Sequence, residues 1–420
     1  MKDLIRFARK HSRFYGNLYR NLPEEITSLE QLPVLVQDEF WEANSLTDNK
    51  LLTGPMLDGI VLKSGGTTGK PKFSVFARDE WNRFTRTFGQ GLAGNGLRKG
   101  DRVANLFYVG ELYGSFIFTH KVLEECPTGV LQLPIAGSIP PAEICKIAND
   151  FGATVLTGVP TTLLNIVDYL ETHPELAQKS KIRMLLFAGE AMYRDQRIRV
   201  AKTLPGVEIR SIGYASTDAG LLGYADLTCG PNEFRKQDGF SHYEILDEDT
   251  DLPILDIGRP GRAVVTDLGR TLMPVIRYPV GDRAMWLDPN GTQNRKFQLL
   301  GRTEESGRVG PVTLFYEDLR HVLDPFRDRI GDFQFQIILV HDNQRDGLLL
   351  RIGSNTSDKV PEKLTGEILQ AIYESRPMYR GCMDEGKILP AQIEWTTTAS
   401  MEINARSGKL RRIIDRRLDN

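Results

Sequence analysis

The chain has 420 residues, of which 40% are hydrophobic and 26% charged, and its formal net charge is −2. This is the composition of a globular protein long enough for two or three domains, and the near-neutral charge argues against a nucleic-acid partner. No run approaches the roughly 20 apolar residues that cross a bilayer, so we expect no membrane association, no signal peptide and a cytoplasmic location. The four cysteines and six histidines are dispersed, which indicates neither a disulfide framework nor a zinc module.

The N-terminal stretch MKDLIRFARKHSRFYGNLY is charged throughout. It fits two interpretations: a basic amphipathic transit peptide, or an ordinary helix docked through Leu4, Ile5 and Ala8. Asp3 and the apolar spacing suit the docked helix at least as well.

Between about residues 58 and 214, short apolar runs alternate with helical patterns. In TTLLNIVDYLETHP, Leu163, Ile166 and Leu170 share one helical face, and Thr161 or Thr162 is available as the N-cap. This alternation predicts a wound α/β sheet. The expected strands are GIVLKS, VANLFYV, GVLQLP, ATVLTGV, RMLLFAG and VEIRSIGY.

The pattern changes twice towards the C-terminus. Closely spaced strands over about 239–300 predict a β-rich subdomain of a large domain at 1–303. Beyond a Gly-rich hinge, a hairpin in FQFQIILVHDNQRDGLLLRIG, a helix near 363–375, the strand AQIEWTT and a final basic helix in KLRRIIDRR predict a small mobile α+β domain at 304–420. The cations of that final helix are expected on its solvated face.

The stretch SGGTTGKPK, from Ser64 to Lys72, has the composition of a phosphate-binding loop. A P-loop would need a glycine at Ser64 and a Ser or Thr at Pro71. Pro71 also lacks an N–H and disfavours the α region at Lys70, so this lysine cannot begin a phosphate-binding helix. The P-loop interpretation therefore fails at both ends.

Four further stretches carry polar or glycine residues where a predicted strand ends or domains meet. They are AGEAM at 188–192, GYASTDAG at 213–220, RYPVGD at 277–282 and GR at 301–302. Ligands bind at strand ends of open α/β sheets. Taken alone, each has a structural explanation: Asp218 caps a turn, Asp282 pairs with Arg277 or Arg283, and the glycines serve tight turns.

Together, and in this order, these motifs resemble those of the adenylate-forming superfamily: acyl-CoA synthetases, peptide-synthetase adenylation domains and luciferases. The short N-terminal region is most similar to the phenylacetate-CoA ligase-like branch, and the resemblance runs from Leu4 to Arg416. It implies ATP-dependent activation of a carboxylic acid to an acyl-adenylate with release of pyrophosphate. The acyl group would then pass to a thiol, of coenzyme A or a carrier, or to an amine.

The resemblance also implies roles for residues around the nucleotide. The glycine-rich stretch would clamp the β- and γ-phosphates through hydroxyls and turn N–H groups, without a helix terminus. Tyr214 would stack on adenine, Asp282 would bind the ribose hydroxyls, and Arg302 would contact ribose and phosphate. The full set expected to bind ATP is Ser64, Gly65, Gly66, Thr67, Thr68, Gly69, Lys72, Gly189, Glu190, Tyr214, Ala215, Ser216, Asp282 and Arg302.

Two catalytic residues and one metal ligand follow from the same resemblance. Thr217 would hold the α-phosphate, and Asp218 stands at the position of a magnesium-binding glutamate. Lys409, in RSGKLRRIIDRR, would enter the site during adenylation. A cation is needed there because two anions about 4 Å apart repel by roughly 4 kcal/mol at an effective dielectric near 20.

The acyl pocket is expected around NLFYVGELYGSF, and its aromatic character favours an aromatic acid. The residues assigned to it are Phe107, Tyr108, Gly110, Ala188 and Gly213. His120 is close in sequence, but a surface or satisfied histidine is the simpler interpretation.

The chain departs from the family pattern at four positions. Asp218 is one methylene shorter than the usual glutamate, Val280 replaces a common threonine, and Glu304 stands at the hinge aspartate. Pro311 replaces a glycine of the loop lining the thiol-acceptor tunnel. Adenylation is expected to be intact, whereas thioester formation is open.

Two rival hypotheses remain. One is a catalytically degenerate homologue that binds nucleotide or acyl ligand without turnover. The other is an acyl-protein synthetase that carries the acyl group on Cys382, although RGCMDEGK shows no pattern that activates a thiolate.

Overall fold

A computed structural model describes residues 1–63, 72–189, 192, 194–247, 250–302, 306–331, 333–354, 362–403 and 410–417. The chain divides into two compact units. The larger contains Met1–Ser64 and Lys72–Leu300, and the smaller contains Gly301–Asn420.

The larger unit begins with helices packed on a β-rich core and continues as an α/β sheet. Its helices are α1 Lys2–His11, α2 Arg13–Leu18, α3 Gln37–Glu42, α4 Arg78–Ala93, α5 Ser115–Glu124, α6 Pro141–Asp150, α7 Pro160–Thr172, α8 Pro174–Lys179 and α9 Arg194–Thr203. Its strands are β1 Gly59–Lys63, β2 Phe73–Ala77, β3 Arg102–Asn105, β4 Leu131–Pro134, β5 Val155–Gly158, β6 Met184–Phe187, β7 Glu208–Ser211, β8 Tyr214–Ser216, β9 Gly220–Gly223, β10 Glu233–Arg235, β11 Ser241–Leu246, β12 Gly261–Asp267, β13 Tyr278–Trp286 and β14 Lys296–Arg302, which crosses into the smaller unit.

A five-stranded parallel sheet of order β4-β3-β5-β6-β7 forms the α/β part. Strands β5 and β6 are buried along their whole length, as expected for parallel strands covered on both faces. All six predicted runs contain a strand, and five of these strands form this sheet. GIVLKS is a strand but does not belong to this sheet.

That run forms β1, which among the described strands pairs with β2 alone, in an antiparallel two-stranded hairpin. The last pair of the ladder is Lys63 with Phe73. Residues 64–71 thus connect two antiparallel strands, and α4 begins only after β2, at Arg78. A P-loop instead joins a strand directly to a helix, so the topology agrees with the rejection of that motif.

The β-rich subdomain is an antiparallel sheet of order β10-β14-β13-β12-β11. Its core also takes in the N-terminal helices, because Leu4, Ile5 and Ala8 of α1 are buried in the same cluster as Val265. The docked-helix interpretation of the N-terminus is therefore confirmed for the described residues.

The N-cap prediction for α7 is wrong. The helix begins at Pro160, with Val159 as its N-cap, so Thr161 and Thr162 lie inside its first turn. Proline is favoured there because its missing N–H would have no helical partner.

Helix α4 has a side-chain cap that also fastens it to the β-rich subdomain. Glu80 accepts from the Ala77 N–H at 2.9 Å, and its other oxygen accepts from the N–H groups of Thr271 at 2.6 Å and Leu272 at 2.7 Å. The hairpin that precedes α4 is thereby tied to the turn between β12 and β13.

The smaller unit is an α+β domain around a mixed sheet. Its further elements are β15 Ser306–Val309, β16 Val312–Phe315, α10 Tyr316–Leu323, α11 Arg327–Ile330, β17 Phe333–Asp342, β18 Arg345–Ser354, α12 Glu362–Ser375, α13 Pro377–Asp384, β19 Gln392–Thr396 and β20 Ile413–Asp415. The sheet order is β19-β18-β17-β20, with β20 parallel to β17.

The hairpin, the helix near 363–375 and the strand in AQIEWTT are confirmed. The predicted C-terminal basic helix is wrong: Ile413 and Ile414 are buried as part of β20. Two adjacent isoleucines flanked by arginines fit a short strand that buries its apolar side chains in the sheet. Among the described helices, none has the length and apolarity to cross a membrane.

Candidate functional site

The C-terminal ends of the parallel strands place most of the expected pocket residues along one edge of the sheet. Phe107 and Tyr108 follow β3, Ala188 and Gly189 follow β6, and Gly213 follows β7. Since β3, β5, β6 and β7 are neighbours and parallel, these residues share an edge. Open α/β sheets bind ligands there.

The two aromatic residues after β3 have different environments. Phe107 is only 3% exposed and packs in a core cluster with Phe88 and Ile212. Tyr108 is half-buried, and its hydroxyl hydrogen-bonds to Thr162 Oγ1 of α7 at 2.8 Å. Tyr108 is therefore the more accessible of the two to a ligand at this edge.

The turn after Tyr108 is strained and is hydrogen-bonded to the β1–β2 hairpin. Glu111 and Leu112 have φ of 48° and 65°, a left-handed conformation that costs energy for side-chain-bearing residues. The Leu112 carbonyl accepts from the Lys63 N–H at 2.9 Å. Gly110, assigned to the acyl pocket, is thus part of a turn bonded to the residue that immediately precedes residues 64–71.

Gly213 has a packing reason to be glycine. Its φ is 142°, and a Cβ there would lie 2.5 Å from Phe88 Cζ. The backbone of GYASTD can therefore pass close to α4.

Thr217 and Asp218 lie at the tip of the β8–β9 hairpin. Ser216 pairs with Gly220, which leaves a three-residue loop, and the Ser216 Oγ accepts from the Ala219 N–H at 3.0 Å. Gly220 has φ of 75°, the left-handed residue that such loops need. Local turn chemistry therefore presents the expected phosphate and metal residues side by side, while Ala215 before them is exposed.

Asp282 is turned by an irregularity in β13. Pro279 pairs with Val264 and Arg283 with Arg262, so three residues of β13 face one of β12. Gly281, with φ of 80°, allows this bulge, and bulges re-aim side chains at functional sites.

The two motifs are joined by reciprocal hydrogen bonds. Tyr214, in GYASTD, donates its hydroxyl to the Asp282 carboxylate of RYPVGD. Tyr278, in RYPVGD, donates its hydroxyl to Asp218 Oδ2 of GYASTD at 3.2 Å. Each motif's tyrosine thus binds the other's aspartate, and four residues far apart in sequence form one unit.

Arg277 does not fill the structural role considered for it as a partner of Asp282. It forms a buried ion pair with Glu244 at 3.2 Å and donates to the Leu32 carbonyl at 2.6 Å. Burial raises the pKa of Glu244, and the positive charge of Arg277 opposes that increase. Arg277 therefore fastens the N-terminal segment to the β-rich sheet.

In the smaller unit, Gln336 holds together the two flanks of residues 404–409. It is fully buried, and its amide nitrogen donates to the carbonyls of Glu402 at 2.9 Å and Arg411 at 2.7 Å. Its oxygen accepts from the Glu402 N–H at 3.2 Å, and Ile403 and Leu410 form an antiparallel bridge. The backbone on either side of Lys409's segment is thereby fixed to β17.

A second buried polar network joins the β15–β16 loop to β17, β18 and the residues after β20. Asp346 accepts from His341 Nδ1 at 2.8 Å, from Arg417 at 2.8 Å and from the Gly310 N–H at 3.2 Å. Burial alone would raise the pKa of Asp346, but these three partners lower it below its ordinary value. Pro311 follows Gly310 in the two-residue loop between β15 and β16, where it breaks no ladder hydrogen bond.

Several expected site residues lie outside the described part of the chain, so their predicted roles are untested. For Arg302 the structure describes the backbone, in β14, but not the side chain. The residues outside the description are Ser64, Gly65, Gly66, Thr67, Thr68, Gly69, Glu190, Glu304 and Lys409.

No family model matches the chain. A phenylacetate-coenzyme A ligase of Pseudomonas putida is 24% identical over 328 residues, covering 74% of this chain and 72% of that protein. Another phenylacetate-coenzyme A ligase, from Thermus thermophilus, is 23% identical over 358 residues, covering 80% of this chain and 76% of that protein. The crystal structure of 2-hydroxyisobutyryl-CoA ligase in complex with 2-HIB-AMP and CoA matches with a TM-score of 0.73 at 17% identity, covering 99% of this chain and 87% of that one. The chain has the fold of the adenylate-forming ligases.

The resemblance drawn from the motifs is thus confirmed, together with the mixed α/β fold class. Two smaller expectations also gain support within this adenylate-forming fold. His120 is an exposed residue hydrogen-bonded to Gln132 at 2.8 Å, as the simpler interpretation held. Cys382 is only 9% exposed and packs in the core of the smaller unit, which disfavours it as an acyl carrier.

The oxygen donors at the β8–β9 tip suit a magnesium ion. Thr217 and Asp218 offer a hydroxyl and a carboxylate, and Mg²⁺ typically takes one or two carboxylates while substrate phosphates and water complete its shell. Within the described ranges, no cluster of three or more His, Cys, Asp or Glu forms a dedicated metal cage. The hydroxyl and the carboxylate at the tip are donor types that fit a magnesium ion.

Sequence reasoning missed two residues that support this tip. Arg270, 1% exposed, donates to the Asp218 carbonyl, and Trp41 donates from Nε1 to the Tyr278 hydroxyl at 3.0 Å. Lys72, which was expected at the nucleotide, has its Nζ 5.4 Å from the centre of the Trp41 ring. Arg270 belongs to none of the recognised motifs, and Trp41 lies in the N-terminal region that resembles the ligase branch, where the resemblance implied no role for it.

Proposed function

We propose that the protein is an ATP-dependent carboxylate ligase that converts an aromatic carboxylic acid to its acyl-adenylate and then to a thioester of coenzyme A. The proposal rests on the adenylate-forming fold, on similarity to phenylacetate-coenzyme A ligases and on the arrangement of the described site.

The observation that carries it is the reciprocal bonding of the two motifs. The Tyr214–Asp282 and Tyr278–Asp218 hydrogen bonds gather a candidate adenine-stacking ring, a ribose acceptor and a metal ligand, with Thr217 beside them. Residues in these roles are what a nucleoside triphosphate requires of a site that cleaves it between the α- and β-phosphates.

In the first step, a carboxylate oxygen of the acid attacks the α-phosphorus of ATP. A phosphorus–oxygen bond forms, the bond to the β-phosphate bridge breaks, and pyrophosphate leaves. Thr217 would donate a hydrogen bond to the α-phosphate, and Lys409 would contact both the attacking oxygen and that phosphate. Catalysis then depends on positioning and electrostatic stabilisation, without a protein nucleophile.

Asp218 and Thr217 would hold the magnesium ion on the pyrophosphate side. When bound, the ion neutralises charge on the departing phosphates. Asp282 would fix the ribose, and Tyr214 would face the adenine, so that the α-phosphate is held at Thr217.

In the second step, the sulfur of coenzyme A attacks the acyl carbonyl of the adenylate. A carbon–sulfur bond forms, the bond between the acyl carbon and the phosphate oxygen breaks, AMP leaves, and the thiol loses its proton. Coenzyme A is the acceptor that we favour because the solved ligase that this chain resembles binds it. A carrier thiol or an amine would undergo the same displacement.

An aromatic acid is favoured by the names of the similar ligases and by the edge of the sheet itself. Tyr108 is half-buried after β3, on the same edge of the sheet as Ala188 after β6 and Gly213 after β7. Aryl and arylacetic acids would gain ring contacts with Tyr108.

The test is pyrophosphate release with a panel of aromatic, fatty, hydroxy and amino acids, in the presence of ATP, magnesium and coenzyme A. We expect release with aryl or arylacetic acids and a matching thioester by mass spectrometry. Release without thioester would restrict the protein to adenylation or to another acceptor. ATP binding by calorimetry with silence across the whole panel would instead select a degenerate binding protein.

A further inference from the structure

One indole lies between two groups that the proposed function places around the triphosphate. Trp41, in the short helix α3, is 9% exposed. Its Nε1–H donates to the Tyr278 hydroxyl at 3.0 Å, and Lys72 Nζ sits 5.4 Å from its ring centre. Lys72 is the last residue of the glycine-rich stretch, and the Tyr278 hydroxyl is hydrogen-bonded to Asp218.

Tyr278 passes this contact on to the carboxylate. Its hydroxyl accepts from Trp41 and donates to Asp218 Oδ2 at 3.2 Å. An O–H that accepts one hydrogen bond becomes a stronger donor in the next. Trp41, Tyr278 and Asp218 therefore form a directed relay that ends on the candidate metal ligand.

The relay is held by packing. Tyr278 is 2% exposed, and its ring lies 5.4 Å from the Phe40 ring and 6.2 Å from the Trp41 ring. Phe40 and Trp41 are themselves perpendicular neighbours at 5.1 Å. Side chains so enclosed keep one rotamer, so the Tyr278 hydroxyl has a fixed position in space.

The backbone of Asp218 is held from the other side. Arg270 donates to its carbonyl oxygen, to the Val75 carbonyl at 3.3 Å, and stacks at 4.1 Å on the Phe76 ring. Arg270 therefore holds the main chain of the turn at Asp218, and Tyr278 holds the Asp218 carboxylate.

We infer that Trp41 and Tyr278 are positioning residues for nucleotide binding, which orient the Asp218 carboxylate through the relay and seat Lys72 on the indole face. The inference rests on the proposed function. Removal of the aromatic ring at position 41 should accordingly weaken both metal-dependent and metal-independent binding of the phosphates, whereas loss of Nε1 alone should weaken only the metal-dependent part.

The relay matters for Asp218 because the side chain of aspartate is short. With one methylene fewer than glutamate, Asp218 reaches less far and must present its carboxylate at one angle. A hydrogen bond from a fixed hydroxyl selects that angle before the ligand arrives, which lowers the ordering cost of binding. The indole face serves Lys72 in the same way, through a cation–π contact.

The experiment measures binding of an ATP analogue with a methylene bridge between its α- and β-phosphorus atoms, by calorimetry, with and without magnesium. The single variants are Tyr278→Phe, Trp41→Phe, Trp41→Leu and Asp218→Ala. One double variant combines Asp218→Ala with Tyr278→Phe. Tyr15→Phe is the matched control, because that buried hydroxyl donates to the Pro274 carbonyl at 2.9 Å and has no bond to Asp218. Thermal unfolding of each variant reports folding separately.

We expect Tyr278→Phe and Trp41→Phe to weaken binding of the magnesium-loaded analogue about tenfold, the scale of one hydrogen bond to a charged group. Binding without magnesium should stay within about twofold, since the phenyl ring at 41 still faces Lys72. Trp41→Leu should weaken both. In the Asp218→Ala background Tyr278→Phe should add nothing, because a coupled pair is not additive.

Equal losses with and without magnesium in Tyr278→Phe, or additive losses in the double variant, would overturn the relay and leave the proposed function standing. If Asp218→Ala binds the magnesium-loaded analogue as tightly as the native protein, the proposed role of Asp218 fails and the relay with it. Should Tyr278→Phe not fold, Trp41→Phe decides the same question from the other end.

Discussion

Tyr214 donates a hydrogen bond from its hydroxyl to the carboxylate of Asp282. Its ring also lies 5.4 Å from the Phe234 ring and 6.2 Å from the Phe297 ring. The residue expected at adenine and the residue expected at ribose are therefore joined by a direct hydrogen bond. The contribution of the tyrosine ring can be separated from that of its hydroxyl.

Tyr214→Phe keeps the ring and should change ATP affinity by less than about threefold, whereas Tyr214→Ala should weaken it about tenfold, in line with one to three kcal/mol for stacking of a base on an aromatic ring. Calorimetric titration with AMP and ATP measures both. Tyr243→Phe, in the same aromatic cluster at 4.4 Å from Phe297, is the control. If the phenylalanine variant loses as much as the alanine variant, the hydroxyl and not the ring carries the effect.

Asp282→Asn should weaken ATP binding by about tenfold or more, because a charged acceptor is replaced by an amide at the ribose hydroxyls. The loss should be specific to the sugar. Native and variant proteins should bind 2′,3′-dideoxy-ATP, which lacks both of these ribose hydroxyls, with similar affinity. A similar loss for both nucleotides would place Asp282 away from the ribose.

Lys409→Ala should slow adenylation about a thousandfold, which corresponds to loss of roughly 4 kcal/mol of transition-state stabilisation. ATP affinity should change little, and synthetic acyl-adenylate should still react with coenzyme A, because the second step needs no cation between two anions. Exchange of labelled pyrophosphate into ATP measures the first step. The control is Lys363→Ala, an exposed lysine of α12, and equal rates in the two variants would remove Lys409 from the mechanism.

Gln336→Leu keeps the size of the side chain but leaves the Glu402 and Arg411 carbonyls without their buried donor. We expect loss of about 2 kcal/mol of local stability, the cost of unsatisfied buried polar groups. Hydrogen exchange read by mass spectrometry should show faster exchange in peptides covering 392–403 and 410–417. Gln370→Leu is the matched control, since Gln370 bonds to Glu374 on the surface; unchanged exchange in Gln336→Leu would show that the bridge between Ile403 and Leu410 stands without it.

The stability of the smaller unit should depend on pH through Asp346. Because its partners lower its pKa below the ordinary 3.8, the folded state favours the charged carboxylate more than the unfolded state does. This stabilisation is complete above the unfolded pKa and is lost as the pH falls through the lower folded pKa.

Asp346→Asn should therefore destabilise the unit by about 3 kcal/mol at pH 7, as expected when one member of a buried charge network is removed. The gap between native and variant proteins should close as the pH falls below about 3.8. Denaturant unfolding followed by exchange in β17 and β18 measures it. A gap that stays constant down to pH 2.5 would mean that packing and not charge makes Asp346 important.

Sequence patterns predicted the parallel sheet well because strands buried on both faces are read as continuous apolar runs, as in ATVLTGV and RMLLFAG. They failed where one local pattern permits two structures. RRIIDRR fits the polar face of a helix as well as a two-residue buried strand, and only the open edge of β17 decides in favour of the strand.

The residues of the candidate site also divide into those that sequence patterns could predict and those that they could not. Tyr214, Asp218 and Asp282 could be named because they sit in motifs whose residue types reflect their chemistry. Trp41 and Arg270 could not, because an indole in a short helix and an arginine in a turn look like ordinary packing residues. Their importance comes from contacts with residues 237 and 52 positions away, and such pairings are set by tertiary structure.

The hydrogen bond from the Lys63 N–H to the Leu112 carbonyl has a thermodynamic consequence. It joins the turn at the acyl edge to the strand that leads into the glycine-rich stretch. A ligand that relaxes the strained φ of Leu112 would move the acceptor of that bond, and with it the end of β1. Linkage then requires reciprocity: by whatever factor the acid changes the affinity for the nucleotide, the nucleotide changes the affinity for the acid. The strength of the coupling between acid and nucleotide would thus depend on one turn, and acids that bind without contacting this turn would bind independently of the nucleotide.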